Sequence, residues 1–329
     1  MQKEAPRLAS EPLPDNIPTI QPGGGFCYRI ELAWGRLRRW YLKRFRRGYV
    51  RRMAALRRGE CQGAPWEILD PRDLKFCCNR CGCFWETADD PFAWRDRLPF
   101  ARWGLAELQV MGWPLLFVTV LLGWSYWFLA PVPAIFLGFL LWFFRDPPRR
   151  SPQEPGVFVS PADGRITEVT RLAHDDYLEG PAIRIGIFMS IFDVHLTRAP
   201  ATTRVIALRY SPGEFFSALK PESATKNESM WIGLEDELPP HDRMAVRQIA
   251  GAYARRIVCA LRPGQVVVRG EKIGMIKLGS RTELIVPDRP SVRIEVNVGD
   301  RVSAGVSLLA RREVAGPQGS DTTRPQSSD

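Results

Sequence analysis

Residues 270–287 read GEKIGMIKLGSRTELIVP, and the organisation of the whole chain follows from this stretch. The run Ile273–Val286 predicts a strand, a tight turn that contains Gly279 and Ser280, and a second strand with alternating hydrophobic positions. A serine at a glycine-containing turn is ordinarily a solvated hairpin residue. What this serine does chemically therefore depends on what accompanies it elsewhere in the chain.

Three further segments accompany this stretch. They are SPADGRITEV (160–169), MSIFDVHLTRAP (189–200) and RQIAGAYARRIVC (247–259). Together with LGSRTEL (278–284) and Pro287, they make the chain resemble the phosphatidylserine decarboxylases, in the short form with an LGS tripeptide. The resemblance covers roughly residues 95–312. One tripeptide would be weak evidence, whereas four ordered segments with similar spacing are specific.

The resemblance implies that the chain processes itself. Ser280 would attack the carbonyl of Gly279, and the resulting ester would eliminate to a dehydroalanine that hydrolyses to a pyruvoyl group. The products would be two associated chains, 1–279 and 280–329, with the pyruvoyl group at the N-terminus of the second. Glycine before the serine suits this reaction, because a residue without Cβ permits a strained turn and close approach to its carbonyl.

The implied enzyme removes CO₂ from the serine headgroup of phosphatidylserine and forms phosphatidylethanolamine. The lipid amine would form a Schiff base with the pyruvoyl carbonyl, which then accepts the electrons of the broken bond. Because the pyruvoyl group does what pyridoxal phosphate does elsewhere, neither pyridoxal phosphate nor a metal ion is expected. The expected partner is a phospholipid in a membrane, and no nucleic acid is expected.

His195 is the first candidate for proton transfer. A single histidine is more often structural, but an imidazole that titrates near neutrality suits a general acid or base. The resemblance implies this role, because His195 lies in an S-x-x-D-x-H segment with Asp193 as a second acidic candidate. Longer relatives carry a second histidine three positions later, where this chain has Arg198. The sequence therefore leaves open which base activates Ser280.

Asp163 lies in a Pro-Ala-Asp-Gly turn. An aspartate before glycine ordinarily bonds its own backbone in an Asx turn. The resemblance makes Asp163 a candidate that orients the histidine or the serine hydroxyl, like the acid of a catalytic triad. Arg198, Asp193 and Arg281 are candidates for binding substrate, the arginines through its phosphate or carboxylate. Any one cationic side chain is otherwise more often solvated.

Charge is unevenly distributed along the 329 residues. The net charge is +10, and residues 1–107 hold 20 Lys/Arg against 13 Asp/Glu, so most of the excess lies there. An excess of basic residues is typical of chains that bind nucleic acid or an anionic membrane surface. The apolar region described next favours the membrane. Five of the seven cysteines fall between Cys61 and Cys83 with one C-x-x-C pair. Structural zinc commonly needs two such pairs, so this irregular spacing argues against zinc, although Cys61 could complete a set of four ligands. An odd number of cysteines without a secretory signal indicates a reducing, cytoplasmic setting.

Residues Leu108–Phe144 carry no charged side chain over 37 positions. Leu108–Leu129 is long enough to cross a bilayer, whereas Val132–Phe144 is short for an upright helix. Pro131 and Pro133 are predicted to break the run between them. Arginines flank both ends, which predicts a re-entrant or tilted hairpin with both ends cytoplasmic; the alternative is a buried pair of core helices. We expect a cell-membrane protein whose catalytic domain faces the cytoplasm.

Four regions are predicted: a basic, cysteine-containing extension (1–94), a hydrophobic membrane anchor (95–150), a decarboxylase domain (151–315) and a disordered tail (316–329). Within the extension, residues 1–25 are also predicted to be disordered. From Ile30 to Leu56 apolar residues recur every three or four positions with arginines between them. This pattern predicts one amphipathic helix on an anionic membrane, or else a solvated helix packed on its own domain.

The decarboxylase domain is predicted to be mainly β, within an α+β class. Its strands are expected in Val/Ile-rich runs: Gly156–Val169, Ala182–Ile191, Val205–Tyr210, Ala245–Leu261, Gln265–Val286 and Ser291–Leu309. SPADGRITEV near its start and VNVGDRVSAGVSLLAR (296–311) near its end suggest a lipoyl/biotinyl-like barrel sandwich with glycine turns between strands.

Two other functions stay open. A decarboxylase of an ether-linked, archaeal-type serine lipid would look the same, since contacts with lipid tails leave no motif. A non-catalytic, lipoyl-like membrane adaptor would keep the fold, but it would not need Ser280 and would remain a single chain.

Overall fold

The computed structural model describes residues 7–216, 222–251, 256–277 and 280–313. The predicted tail, 316–329, and Gly279 of the predicted cleavage site lie outside the described residues. Helices occupy most of the N-terminal part of the described chain, and antiparallel strands form the C-terminal part.

The segment before the first helix is packed against other parts of the chain. Ile17 and Ile20 are buried, and Ile17 joins the main hydrophobic core. The backbone N–H of Cys259 donates to Ile20 O at 2.8 Å, and Ile20 N–H donates to Phe76 O at 3.1 Å. The prediction of disorder over residues 1–25 is therefore wrong for the described part, because its isoleucines supply core packing that polar composition does not reveal.

Two helices follow, α1 (Phe26–Phe45) and α2 (Arg47–Leu56). The prediction of one continuous helix is wrong at Arg46, whose φ of −125° and ψ of 40° lie outside the helical region. Large apolar side chains of α1 are exposed, among them Trp34 at 63% and Trp40 at 59%. Three short 3₁₀ helices then lead to the apolar region: Pro71–Phe76, Ala93–Arg97 and Arg102–Gly104.

The apolar region forms two helices, α3 (Leu105–Ser125) and α4 (Pro131–Phe143). Within the described residues, Arg102–Ser125 is the one helical stretch long and apolar enough to cross a membrane, with a mean hydropathy of 1.7. Only 11% of its apolar window is buried, so the alternative of a buried core pair does not fit. The apolar run is broken between Ser125 and Pro131, as predicted, and Pro131 and Pro133 lie in the first turn of α4. Proline suits that turn, where its missing N–H is not needed.

Strands and one short helix make up the rest of the described chain. In chain order they are β1 (Val157–Val159), β2 (Gly164–Asp175), β3 (Gly180–Met189), β4 (Leu196–Arg198), β5 (Thr203–Ser211), α5 (Ser223–Lys226), β6 (Ser229–Asp236), β7 (Arg243–Ala250), β8 (Arg256–Cys259), β9 (Val266–Val267), β10 (Lys272–Lys277), β11 (Ser280–Pro287), β12 (Val292–Ile294), β13 (Arg301–Val302) and β14 (Leu308–Arg312). The sequence analysis missed β6, whose short apolar run is interrupted by Gly233.

The strands form three antiparallel sheets. The largest has eight strands in the order β13-β2-β3-β11-β7-β6-β5-β9, and the smaller sheets have the orders β4-β10-β8 and β1-β14-β12. All three contribute to one core of buried aliphatic side chains, for example Ile187 of β3, Ile276 of β10 and Leu309 of β14. The prediction of a mainly β domain is confirmed.

The two strands of the central stretch do not pair with each other. Strand β10 pairs with β4 and β8, whereas β11 pairs with β3 and β7. The two predicted strands are present. The prediction that they form a hairpin is wrong, because β10 and β11 pair with strands of different sheets. Ser280 therefore begins a strand at the place where the chain passes from one sheet to another.

Candidate active site

The link between β3 and β4, residues 190–195, lies beside the end of β10 and the start of β11. Strand β3 pairs with β11 and β4 pairs with β10, so this link spans the same two sheets. Ser280 begins β11 opposite the last residue of β3. His195 O accepts a hydrogen bond from the backbone N–H of Ile276 in β10 at 3.1 Å. The strand register thus brings the segment that holds His195 next to Ser280.

Ser280 is fully buried, with 0% of its surface exposed. Its strand neighbours are Met189 on one side and Ala250 on the other. The hydroxyl Oγ lies 3.2 Å from the Met189 sulphur, which is a weak acceptor. The interpretation of Ser280 as a solvated turn residue is therefore excluded. Because the sulphur is a weak acceptor, moving the hydroxyl out of this contact costs little free energy.

His195 is buried and its ring is oriented from two sides. Its Nδ1 lies 2.9 Å from the Asp193 carbonyl oxygen, which can only accept, so Nδ1 carries the proton and Nε2 is the basic nitrogen. The Phe143 ring packs on the imidazole with centroids 4.5 Å apart. Burial lowers the pKa of His195 to about 4, opposed only in part by the Asp193 contacts. The imidazole is neutral at pH 7 and can act as a base.

The two aspartates of the prediction have structural partners. The Asp193 carboxylate accepts from the N–H and the hydroxyl of Ser190 at 2.8 and 2.7 Å, and so closes the turn that carries His195. Asp163 accepts from Ala304 N–H and from an Arg149 guanidinium, each at 2.7 Å. Asp193 thus supports the histidine through the backbone. Asp163 joins two turns of the β domain through Ala304 and ties that domain to the segment after α4 through Arg149.

The two arginines predicted to bind substrate are held by partners within the chain. Arg198 donates to Gly270 O at 2.9 Å and to Asp146 at 3.2 Å. Arg281 pairs with Glu283 at 3.0 Å and with Glu168. Successive side chains of a strand point to opposite faces, so Arg281 lies on the face of β11 opposite to Ser280. The structure does not bring Arg281 to the serine.

Asn227 is a buried residue near the site to which the sequence analysis gave no role. Its amide donates to Phe216 O and Ala250 O at 2.8 and 2.6 Å and accepts from Phe216 N–H at 2.8 Å. Ala250 is the residue opposite Ser280 on β7. Asn227 therefore fixes the backbone on one side of the serine. In the sequence, Asn227 and Glu228 match an Asn-Glu pair of the resembled family, but the pair gave no indication of this role.

Gln248 connects the two sheets beneath the site. It lies opposite Thr282 in the large sheet, two residues from the partner of Ser280. Its Nε2 donates to Thr197 Oγ1 of the small sheet at 2.8 Å, and it lies 3.5 Å from Val258 O. Among the described residues, its buried Oε1 has no hydrogen-bond partner. The hydrogen bond to Thr197 ties the large sheet, which holds Ser280, to the strand that follows His195.

Both apolar helices contact the site. At the end of α4, Trp142 and Arg145 donate to Phe192 O in the link that carries His195, at 3.4 and 2.8 Å. At the start of α3, Glu107 forms an ion pair with Lys277, the last residue of β10. The two apolar helices therefore touch both segments from which the site is built.

The cysteines pack as apolar side chains. Cys77, Cys81 and Cys83 are buried in one cluster with Met53 and Trp85. The Cys77 and Cys81 sulphurs are 4.0 Å apart, and all seven cysteines are free thiols. In the part of the chain that the structure describes, no group of three or more His, Cys, Asp or Glu residues could hold a metal ion.

The fold and the site define a class: a mainly β enzyme with a buried serine, a neutral histidine and two apolar helices that pack beside them. A family model described as phosphatidylserine decarboxylase matches residues 136–310. The chain belongs to the phosphatidylserine decarboxylase family.

Named relatives agree with this assignment. A protein of Rhodopirellula baltica named phosphatidylserine decarboxylase proenzyme is 46% identical over 239 residues, which cover 72% of this chain and 98% of the relative. Proteins with the same name from Desulfotalea psychrophila and Carboxydothermus hydrogenoformans are 40% and 39% identical, and the matches cover 53% and 57% of this chain and 79% and 85% of those relatives. The family resemblance drawn from the four motifs is confirmed.

Proposed function

We propose that this chain is a phosphatidylserine decarboxylase that makes its own catalytic group by cleaving itself between Gly279 and Ser280. The reaction converts phosphatidylserine to phosphatidylethanolamine and CO₂. The observation that carries the proposal is the burial of Ser280 at the first position of β11, beside the segment that holds the neutral His195. The substrate is assigned from membership of the family, and the relatives' name, proenzyme, agrees with processing of the chain.

In the proposed cleavage, His195 Nε2 takes the proton of Ser280 Oγ, and this oxygen attacks the carbonyl carbon of Gly279. The C–N bond between the two residues breaks, the Ser280 nitrogen gains the proton, and an ester remains. Loss of the Ser280 α-proton expels the Gly279 carboxylate and leaves a dehydroalanine. Water then replaces the nitrogen, ammonia leaves, and a pyruvoyl group remains at the N-terminus of chain 280–329.

The surroundings of Ser280 fit this chemistry. The thioether of Met189 holds the hydroxyl only weakly, and the Asp193 carbonyl keeps the proton on Nδ1 so that Nε2 of His195 stays basic. Once formed, the pyruvoyl group supplies an electrophilic carbonyl that takes up the lipid amine and accepts the electrons released with CO₂. His195 would return a proton to the α-carbon of the product.

We further propose that the enzyme acts at the cell membrane with its β domain on the cytoplasmic side. The substrate cannot leave the bilayer, so the site must be held at the height of the headgroups. The contacts of Phe143 with His195 and of Glu107 with Lys277 support this, because they tie the apolar helices to the site. We also propose that the β domain is a lipoyl/biotinyl-like barrel sandwich; its antiparallel sheets around one core support this.

Intact-mass spectrometry of the purified full chain tests the proposal. We expect two fragments, 1–279 and 280–329, the second with a blocked N-terminus that reacts with phenylhydrazine as a ketone. Ser280→Ala should give one intact chain and no phosphatidylethanolamine. Ser229→Ala is the matched control, because Ser229 is also a buried serine at the first position of a strand. An active preparation with a single mass of 37.4 kDa would contradict the mechanism.

A further inference from the structure

A groove with two chambers runs along α1, and the residues that line it all precede position 111. The first chamber has a volume of about 640 Å³ and mostly apolar walls, which include Trp34, Leu37, Trp40, Tyr41, Tyr49 and Phe92. The second has a volume of about 450 Å³ and lies between α1 and the first turns of α3. Trp34, Arg38 and Arg72 line both chambers, so the two adjoin each other.

The second chamber is strongly basic. Its arginines are Arg38, Arg39, Arg72, Arg95 and Arg102. Only two carboxylates lie in its wall: Glu31 is paired with Lys75, and Asp73 is shared by Arg38 and Arg39. Two further carboxylates outside the lining pair with its arginines, Asp70 with Arg72 and Asp96 with Arg102. The positive charge that no carboxylate compensates is therefore centred on Arg95.

Arg95 is the least compensated of these cations. Among the described residues no carboxylate lies within ion-pair distance of it, and its guanidinium instead lies 5.0 Å from the Phe92 ring centroid. Burial, followed by the charges of Arg72 and Arg102, lowers its pKa. A half-buried guanidinium among others of the same charge is unfavourable without an anion. This arrangement indicates that an anion binds here.

The rest of the groove restricts what that anion is. The wall of the basic chamber on the α3 side is made by Leu105, Ala106, Gln109 and Val110, the start of the helix that is long enough to cross a membrane. The apolar chamber opens beside the exposed aromatic side chains of α1. A ligand that fills both chambers is amphipathic, with a negative group at one end and a hydrocarbon chain at the other. A free nucleotide or inorganic phosphate would leave the apolar chamber empty.

We propose that this groove binds one anionic glycerophospholipid of the bilayer, at a site separate from the catalytic serine. The phosphate lies among Arg95, Arg72 and Arg102, and an acyl chain enters the apolar chamber against Leu37. The binding of this lipid does not require self-cleavage. The residues from α1 to the first turns of α3 thereby acquire a function of their own: they hold the enzyme to anionic lipid beside α3.

Native mass spectrometry of the full chain released from detergent micelles tests this site. Phosphatidylglycerol, phosphatidylcholine and inorganic phosphate are added separately at rising concentrations. We expect one retained phosphatidylglycerol with at least tenfold preference over phosphatidylcholine, and no competition by millimolar phosphate. Arg95→Gln should weaken phosphatidylglycerol binding about tenfold, since it removes a charge-assisted contact. Leu37→Gln should also weaken the binding of phosphatidylglycerol, because it places a polar side chain in the apolar chamber.

Arg97→Gln is the matched control, because Arg97 is exposed on the same 3₁₀ helix as Arg95 and does not line the groove. It should bind phosphatidylglycerol within twofold of the wild type. Equal losses in Arg95→Gln and Arg97→Gln would overturn the proposal in favour of general surface charge. Displacement of the lipid by inorganic phosphate would overturn it in favour of a simple anion site. Melting temperatures of each variant confirm that the fold is retained.

Discussion

Phe143 is expected to control the protonation of His195, and Phe143→Ala tests this. The two rings are buried with centroids 4.5 Å apart. With a pKa of about 4, about 90% of the imidazole is neutral at pH 5, against about 3% for an ordinary pKa of about 6.5. Loss of the Phe143 ring admits water beside the imidazole, and a pKa rise of about 1.5 units would leave about a quarter neutral at pH 5.

The assay follows self-cleavage of freshly synthesised proenzyme, produced in a cell-free system with detergent and transferred to buffers between pH 4.5 and 8. Because the neutral imidazole of His195 is the base, the rate falls as the pH drops through its folded-state pKa. The wild type should keep most of its rate at pH 5, whereas Phe143→Ala should lose about two thirds or more of its rate relative to pH 7.5.

Phe139→Ala is the control for this experiment, since Phe139 packs on Phe143 at 6.2 Å between centroids and makes no described ring contact with His195. Its pH profile of self-cleavage should match that of the wild type.

The low pKa of His195 in the folded chain also predicts that folding stability declines from pH 6.5 towards pH 4 by up to about 3 kcal/mol. The reason is that the histidine of the unfolded chain takes up its proton at a higher pH than that of the folded chain. Circular dichroism at each pH separates this loss from the effect on rate. A wild-type cleavage rate with its midpoint near pH 6.5, or the same pH profile of cleavage in Phe143→Ala as in the wild type, would refute the reasoning.

Two further predictions concern residues around β11. Arg281→Met should lower the free energy of unfolding by about 3 kcal/mol, because it leaves the buried Glu283 without this partner. It should leave the cleavage rate unchanged, and slowed cleavage in a fully folded variant would contradict its position on the face opposite Ser280. Gln248→Met combined with Thr197→Val replaces a polar pair by apolar groups of similar shape, so thermal stability should stay equal or rise. Self-cleavage should slow about tenfold or more, because the sheets that carry Ser280 and His195 lose their link; an unchanged rate would show that Gln248 only packs.

The strands of the β domain were predictable because runs of valine and isoleucine are local signals. The strand pairing was not, since it depends on contacts distant in sequence. The stretch around Ser280 has the local appearance of a hairpin, yet Ser280 pairs with Met189 and Ala250, and Gly274 pairs with Thr197 and Cys259. Separation into two sheets is decided by these long-range partners, and no short window of sequence contains them.

The residues of the candidate site likewise fall into those that the sequence identified and those that only the tertiary structure shows. Ser280 and His195 were identified by motif, and strand register brings their segments together. Alternation along β11 already implied that Arg281 and Ser280 point to opposite faces, but which face holds the site is a tertiary fact. Asn227 and Gln248 were beyond prediction because their partners are backbone groups and a hydroxyl in other strands. An amide in a β-strand gives no sign of the atom that it will meet.

The separation of β10 from β11 also explains how the chain can be cut there and stay folded. Each strand is held on both sides by strands other than its neighbour across the cleaved bond, so cleavage removes no strand pairing. Residues 280–313 contribute β11 to the large sheet between β3 and β7, β13 to the edge of the same sheet and β14 to its own sheet with β1. The two proposed products therefore remain one β domain. The new N-terminus stays where strand register holds it, opposite Met189 and beside the segment that carries His195, and this is where a carbonyl made from Ser280 has to be.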